Sequence, residues 1–316
     1  MLPPARVTKH FSIGYFFRTA AFPLVVFLAI IAIPVRATSR LGIPQQSQLD
    51  DRATKQALTA QAEKQALQAR ANRDRQTALE ILLKALKADP QEPRLLLDVG
   101  SLELEMGLNV DALETFRLGH SLQGRDLQML YGLAHAELAV QDMPAAERHM
   151  REYLAKRDDD ATAHFGLGRV LQMLERSEEA KREFERSVEL QPRQTESYYE
   201  LGDIAVNEAN YERAADLFRK VRAVDPNHGG ALTGLGIVAY RQNKYEEADG
   251  YLQSAIKSAP DYQPAHYYCG LNLKRLGKDA ESQRELQIAL DLDKHAKAEQ
   301  KRAPRVMSKP VPTEIE

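Results

Sequence analysis

The sequence has very little cysteine and no excess of charge of either sign. Cys269 is the single cysteine among 316 residues, so no internal disulfide can form. The cysteine content is therefore compatible with an oxidising and with a reducing compartment. The 43 lysines and arginines are balanced by 45 aspartates and glutamates, for a net charge of −2. Nucleic-acid binding requires clustered basic residues. We therefore expect no nucleic-acid partner.

A catalytic constellation is also missing. The eight histidines never have the i, i+4 spacing of a helical metal pair. The stretch Gly229–Gly236 is glycine-rich, but the Lys-Ser/Thr of a phosphate-binding loop does not follow it. The serines lack a nucleophile elbow. The sequence therefore predicts that the chain is not an enzyme and that it has no catalytic residue, no metal site and no cofactor.

A long apolar run occurs at the N-terminus, from Thr19 to Val35, after the basic residues Arg6, Lys9 and Arg18. It is short for a bilayer span, which needs about 20 apolar residues, and Val35-Arg36-Ala37 offers small residues for signal peptidase. Residues 1–37 therefore favour either a cleaved signal peptide or an uncleaved membrane anchor. A buried cytosolic helix is disfavoured because the run has no polar face.

Both alternatives place the rest of the chain outside the cytoplasm. Cleavage after Ala37 would leave a periplasmic or secreted protein, whereas an uncleaved segment would anchor the chain in a membrane. We expect a polar linker and the start of a capping helix over residues 38–58, with the linker reaching Gln48 and the helix starting at Leu49. A disordered tail is expected over residues 295–316, which contain Pro304, Pro310 and Pro312.

Between these ends the sequence repeats every 34 residues. A column of small residues comprises Ala66, Gly100, Ala134, Gly168, Gly202, Gly236 and Gly270. A second small column comprises Ala78, Ala112, Ala146, Ala180, Ala214, Ala248 and Ser282, and a large apolar column follows it at Leu82, Phe116, Met150, Phe184, Phe218, Leu252 and Leu286. Two helices cross closely only where small side chains meet. The columns therefore predict pairs of amphipathic helices that stack on their neighbours.

This pattern resembles the tetratricopeptide repeat family over roughly residues 59–294. The frequent first-helix Trp of that family is replaced here by Leu96, Leu130, His164, Tyr198, Leu232 and His266. The resemblance implies an all-α, right-handed superhelical solenoid of antiparallel helix pairs, which the N-terminal apolar export segment precedes. Six full repeats are expected to begin near residues 93, 127, 161, 195, 229 and 263, after one degenerate repeat.

The resemblance also implies that the first helices line a concave groove. The fifth residue of each first helix faces this groove in that family. Here these residues, termed the aromatic ladder because four of the six are aromatic, are Leu97, Tyr131, Phe165, Tyr199, Thr233 and Tyr267. We predict a partner-binding groove formed by Leu97, Tyr131, Phe165, Arg169, Tyr199, Asp203, Tyr240, Arg241, Tyr267 and Lys274. Alternatively, the rings only pack against the adjacent repeat. In the dipeptide Tyr198-Tyr199, we expect Tyr199 in the groove and Tyr198 in the repeat core.

These features predict an exported, non-enzymatic scaffold that binds a protein or peptide partner in its concave groove, for envelope assembly or secretion. One alternative is a carbohydrate or cell-wall binder, because aromatic rings also stack on sugars. Another is an accessory subunit of an envelope enzyme complex. Contact with a membrane is expected only through an uncleaved N-terminal segment.

Overall fold

The computed structural model describes residues 43–302, and the side chains of residues 51–298. All regular secondary structure in this range is helical. The helices are α1 (Ile43–Ala71), α2 (Arg75–Ala88), α3 (Pro93–Glu105), α4 (Asn109–Leu122), α5 (Leu127–Ala139), α6 (Met143–Leu154), α7 (Ala161–Met173), α8 (Ser177–Leu190), α9 (Thr195–Asn207), α10 (Tyr211–Val224), α11 (Gly229–Arg241), α12 (Tyr245–Ser258), α13 (Gln263–Arg275) and α14 (Asp279–Arg302). The prediction of an all-α solenoid of helix pairs is confirmed.

The predicted export segment, residues 1–37, lies outside the described residues, as do residues 38–42 and 303–316. The chain divides into two units, Met1–Gln48 and Leu49–Glu316, and the repeats belong to the second. Among the described helices, none has both the length and the hydrophobicity that a bilayer span requires.

Six first helices begin at Pro93, Leu127, Ala161, Thr195, Gly229 and Gln263, the residues at which the 34-residue spacing places the repeats. Each of them packs on the second helix of its own repeat and on that of the preceding one. Several successive first helices also touch one another directly, for example α9 with α11 and α11 with α13. The first helices therefore form the inner layer of the stack, where the groove is expected.

The small columns do bring helices into close contact. A Cβ atom on Gly202 would lie 2.6 Å from the ring of Phe218, and one on Gly234 would lie 2.4 Å from the same ring. Ala214, in the second small column, is completely buried. One phenyl ring is thus enclosed by the first helices of two successive repeats, because neither glycine carries a side chain that would displace it.

The turn within each repeat contains one residue in the left-handed backbone region. These residues recur every 34 positions at Arg73, Gly107, Gln141, Glu175, Ala209, Asn243 and Gly277, with φ between 56° and 75°. The residue after each of them then donates a backbone hydrogen bond back into the first helix and ends that helix, as Asn210 N does to Ala205 O at 2.8 Å. Glycine adopts the left-handed conformation without strain, and the five other residues do so at some cost.

The terminal helices extend further than the sequence suggests. Helix α1 begins at Ile43, six residues before the expected start at Leu49, since Pro44 suits a first helical turn and good helix formers follow. Helix α14 continues to Arg302, into the region where a disordered tail was expected. Ion pairs from Lys294 to Asp291 (3.2 Å) and from Lys297 to Asp293 (2.8 Å) support this extension.

Candidate partner-binding groove

The aromatic ladder lies in the inner layer, but its rings are only partly exposed. Leu97, Tyr131, Phe165 and Tyr199 are half-buried, whereas 42% of Tyr267 is exposed. Phe165 packs on Phe184, and Tyr199 packs on Phe218, each with ring centroids 5.9 Å apart. The ladder is therefore anchored on the second helices.

The ladder is also interrupted. Thr233 stands at its fifth place and is 2% exposed, with its hydroxyl donating to the Gly229 carbonyl at 2.8 Å. Among the described residues, no two successive ladder rings are in ring contact with each other. The groove thus offers separate half-buried sites in place of a continuous apolar strip.

The central site is built around Tyr199. Its ring lies across the first turn of α11, where a Cβ atom on Gly230 would be 2.8 Å from Tyr199 Cε2. Its hydroxyl lies 3.1 Å from that of Tyr262, and its ring centroid is 5.6 Å from that of His228. Because Gly230 has no side chain, the tyrosine can reach across an entire repeat.

Two acidic residues accompany this tyrosine. Burial raises the pKa of Asp203 to about 6, and the nearby charge of Glu200 adds to the effect, while hydrogen bonding to Tyr199 opposes it. Neither carboxylate forms an ion pair within the described part of the chain. We define the central cluster as Tyr199, Glu200, Asp203, His228 and Tyr262. Its polar groups are half-buried, and its two carboxyl groups have no basic partner among the described residues.

A second polar site lies two repeats earlier. The rings of Tyr131 and His135 have centroids 4.4 Å apart, and Tyr131 also contacts Tyr153, at 4.9 Å. The Tyr153 hydroxyl donates to Asp160 at 2.8 Å. Burial lowers the pKa of His135 and raises that of Tyr131, so the neutral forms of both are favoured.

The remaining predicted groove residues are more exposed. Arg169 is exposed on α7, and Arg241 and Lys274 are exposed at the ends of α11 and α13. Tyr240 is half-buried, with its ring 5.9 Å from Tyr245 and 6.3 Å from Tyr268. The predicted residues therefore fall into a central site, an earlier polar site and a basic end.

The predicted groove residues omit Tyr262, which stands at the N-cap of α13. In most other repeats this position holds a residue whose side chain accepts backbone N–H bonds, as Asp126, Asp160 and His228 do, whereas Gln194 forms no such bond. A tyrosine forms no such cap here, and this departure from the repeat is the signal that could have identified it.

The expectation that Tyr198 lies in the repeat core is wrong. Its ring is half-buried, and Lys220 Nζ lies 5.0 Å from the ring centroid. Tyr198 lines a cleft of about 720 Å³ between the second helices α8 and α10. A smaller cleft of about 340 Å³ lies at the equivalent place between α10 and α12. The second helices do not close on each other as tightly as the first helices, so this face of the repeat remains open.

Two histidines that replace the family's tryptophan are structural. His164 Nδ1 lies 2.7 Å from Glu183 Oε2 and its Nε2 3.2 Å from the Asp158 carbonyl. His266 repeats the arrangement three repeats later, with Glu285 at 2.6 Å and the Pro260 carbonyl at 2.8 Å. Carboxylate and carbonyl oxygens only accept hydrogen bonds, so at His164, whose pKa these bonds raise, the geometry suits a doubly protonated imidazolium ring.

The remaining candidates for chemistry are inert or absent. Cys269 is completely buried, and burial raises the pKa of its thiol to about 12, so it is a poor nucleophile at neutral pH. No group of three or more metal-ligating side chains occurs among the residues that the structure describes.

Two family models match the chain. One, described as "Cytochrome c-type biogenesis protein H TPR domain", matches residues 128–266, and the other, described as "Tetratricopeptide repeat", matches residues 63–119. Together they cover most of the helical repeats.

Curated relatives match shorter parts. "TPR repeat-containing protein PA4667" of Pseudomonas aeruginosa is 24% identical over 183 residues, which are 57% of this chain and 25% of that protein. "Tetratricopeptide repeat-containing protein trd-1" of Caenorhabditis elegans is 31% identical over 100 residues, which are 32% of this chain and 13% of that protein. The chain thus spans a quarter or less of the length of these relatives.

A solved structure shows the same fold. The crystal structure of a tetratricopeptide repeat protein from Parabacteroides merdae superposes with a TM-score of 0.60 at 13% identity, covering 75% of this chain and 93% of that one. At this identity the likeness concerns the arrangement of helices and carries no information on the partner.

Proposed function

Because this chain belongs to the tetratricopeptide repeat family, we propose that it is an exported, non-enzymatic scaffold that binds a segment of a protein partner in its groove. The observation that carries the proposal is the central cluster. It places half-buried carboxyl and hydroxyl groups on the inner layer, beside an aromatic ring, and the fold leaves the charge of Glu200 and Asp203 uncompensated.

Such groups suit a polypeptide ligand. Tyrosine supplies contact area with a polar tip, and binding energy concentrates at a few aromatic residues from which water is excluded. The three half-buried ladder rings Tyr131, Phe165 and Tyr199 are one repeat apart along the inner layer. An extended segment could therefore contact successive repeats, each through one ring and its polar neighbours.

The biological setting that we propose is the assembly of other proteins in the cell envelope. Two considerations support it: the apolar N-terminal run with its cleavage-like site at Ala37, and the match of residues 128–266 to a model named for a protein of cytochrome c-type biogenesis.

The proposal extends to cleavage after Ala37. Mass spectrometry of the mature N-terminus tests it, and an intact Met1 on a membrane-bound chain would establish an anchor.

Site-specific photo-crosslinking tests the groove. A photoreactive phenylalanine analogue replaces Arg169, which is exposed on α7 of the inner layer, or Arg182, which is exposed on α8. Cells that produce the chain naturally should give a discrete protein adduct from position 169 and none from position 182. Equal adducts from both positions, or recovery of polysaccharide with no protein, would contradict a protein-binding groove.

A further inference from the structure

The last two full repeats carry three exposed basic side chains that have no acidic partner among the described residues. Arg241, Lys274 and Arg275 are exposed, and none of them forms an ion pair within the part of the chain that the structure describes. Some basic residues of the middle repeats do have an acidic partner: Arg176 is paired with Glu147 at 2.7 Å, and Arg213 with Glu185 at 2.6 Å. The basic charge at the C-terminal end of the groove is therefore available to a ligand.

Tyrosines lie beside these cations. Tyr240 of α11 meets Tyr268 of α13 edge to face at 6.3 Å, and Tyr267 meets Tyr268 at 5.4 Å. A hydrogen bond with the Tyr240 hydroxyl raises the pKa of Arg275 above its usual value. The six residues Tyr240, Arg241, Tyr267, Tyr268, Lys274 and Arg275 are here termed the basic–tyrosine patch.

We propose that the basic–tyrosine patch binds an acidic segment of the partner, rich in Asp or Glu side chains. The inference rests on the proposed function, since it specifies the chemistry of a ligand for one end of the same groove. Arginine presents a planar fork that matches a carboxylate, and tyrosine hydroxyls donate further hydrogen bonds to it. Charge complementarity therefore favours carboxylates at this end.

The charge along the groove restricts where that segment can lie. Asp203 belongs to the central cluster, and although burial raises its pKa to about 6, its carboxylate remains ionised at neutral pH, so it repels an acidic ligand from the middle of the groove. A protein is favoured over a nucleic acid because the patch contains only three cations, next to acidic repeats in a chain of net charge −2. The groove thus has opposite charges at its centre and its end.

Fluorescence anisotropy with labelled octaglutamate tests the proposal, with octalysine and an eight-nucleotide oligothymidine as comparison probes. The full chain is compared with the triple variant R241Q/K274Q/R275Q. The matched control is R117Q/R148Q/R182Q, which removes the same charge from exposed second-helix positions that form no ion pair within the described residues. We expect octaglutamate affinity to fall about tenfold or more in the patch variant and to stay within about twofold in the control.

Three results would overturn the proposal: no measurable octaglutamate binding, equal weakening in both variants, or tighter binding of oligothymidine than of octaglutamate. Thermal melting of both variants should match that of the parent chain, because the substituted side chains are exposed. The crosslink from position 169 separates the two proposals. If that adduct persists while octaglutamate fails to bind, only the acidic-segment inference is wrong.

Discussion

The hydroxyl groups of Tyr199 and Tyr262 lie 3.1 Å apart, although the residues are separated by 63 positions in the sequence. Tyr199 belongs to α9 and Tyr262 precedes α13, so the contact connects two repeats across the one between them. The ring crosses α11 at Gly230, where no side chain intervenes. Tyr199 is therefore part of the packing of the inner layer, as well as a predicted binding residue.

This geometry predicts that Tyr199→Ala destabilises the solenoid by about 3 kcal/mol, on the order found for truncation of packed aromatic rings. Tyr199→Phe keeps the ring and removes the hydrogen bonds of its hydroxyl to Tyr262 and Asp203, and it should cost about 1 kcal/mol. Urea unfolding of both variants provides the measurement. If Tyr199→Ala leaves the free energy of unfolding unchanged, the ring contributes to binding alone, as the sequence suggested.

The sequence predicted the repeat register well because that register depends on side-chain size alone. Gly202 belongs to a column of small residues and Phe218 to a column of large apolar ones, and contacts between these two columns recur every 34 residues. The Tyr199–Tyr262 contact was not predictable in this way, since it depends on how far successive repeats rotate. The half-exposed position of Tyr198 has a similar origin, because the width of the cleft between second helices does not appear in any column.

A second prediction concerns Glu103, which is 5% exposed. Burial raises its pKa from an ordinary 4.5 to about 7, although Thr115 donates a hydrogen bond to it at 2.9 Å. Because the raised pKa favours the protonated form in the folded state, this contribution to stability is present below pH 4.5 and is lost as the pH rises towards 7. Glu103→Gln should therefore stabilise the chain by about 2 kcal/mol at pH 8 and little at pH 4.5.

The equivalent residue one repeat later provides the control. Glu137 is also buried, but its Oε2 lies 2.7 Å from His149 Nδ1, where Glu103 has Thr115 as its partner. Glu137→Gln replaces the oxygen that faces His149 with an amide group, weakens that hydrogen bond and should destabilise the chain by about 1 kcal/mol. Urea titrations at pH 4.5, 6 and 8 measure both variants. Destabilisation by Glu103→Gln at pH 8 would contradict the prediction, because it would show that the folded chain stabilises the ionised carboxylate of Glu103.

A third prediction concerns His164 and the two oxygens that face its ring. Burial disfavours the charged imidazole, but hydrogen bonds to Glu183 and to the Asp158 carbonyl outweigh it, so the pKa of His164 lies above 6.5. The stabilisation is fully present below pH 6.5 and is lost as the pH rises through the raised value. His164→Gln should therefore cost more at pH 6, about 1–2 kcal/mol, than at pH 9.

Glu183→Gln provides a matched test from the other side of the pair. It removes the carboxylate that favours the imidazolium, so the pKa of His164, measured by NMR titration of the ring protons, should fall. An unchanged pKa in this variant, or an equal cost of His164→Gln at both pH values, would show that the ring is neutral in the folded chain.

The last prediction concerns the left-handed turn residues, because these alternate between glycine and other residues at one structural position. Ala209 has φ of 56° and Gly277 has φ of 75°. The left-handed region costs a residue with a Cβ atom about 1 kcal/mol, and this exceeds the entropy that a glycine adds to the unfolded chain when its native φ is positive. Ala209→Gly should therefore raise the free energy of unfolding by somewhat under about 1 kcal/mol.

Gly277→Ala is the reciprocal variant, and it isolates the backbone effect. A Cβ atom on Gly277 would meet no other atom within 4 Å, so its cost, also about 1 kcal/mol, arises from the dihedral angle and not from a clash. Urea unfolding of the two variants should give shifts of opposite sign. Shifts of the same sign would mean that contacts of the turn, such as the bond from Asn210 N to Ala205 O, outweigh the backbone preference that the repeat exploits with glycine at only two of its seven turns.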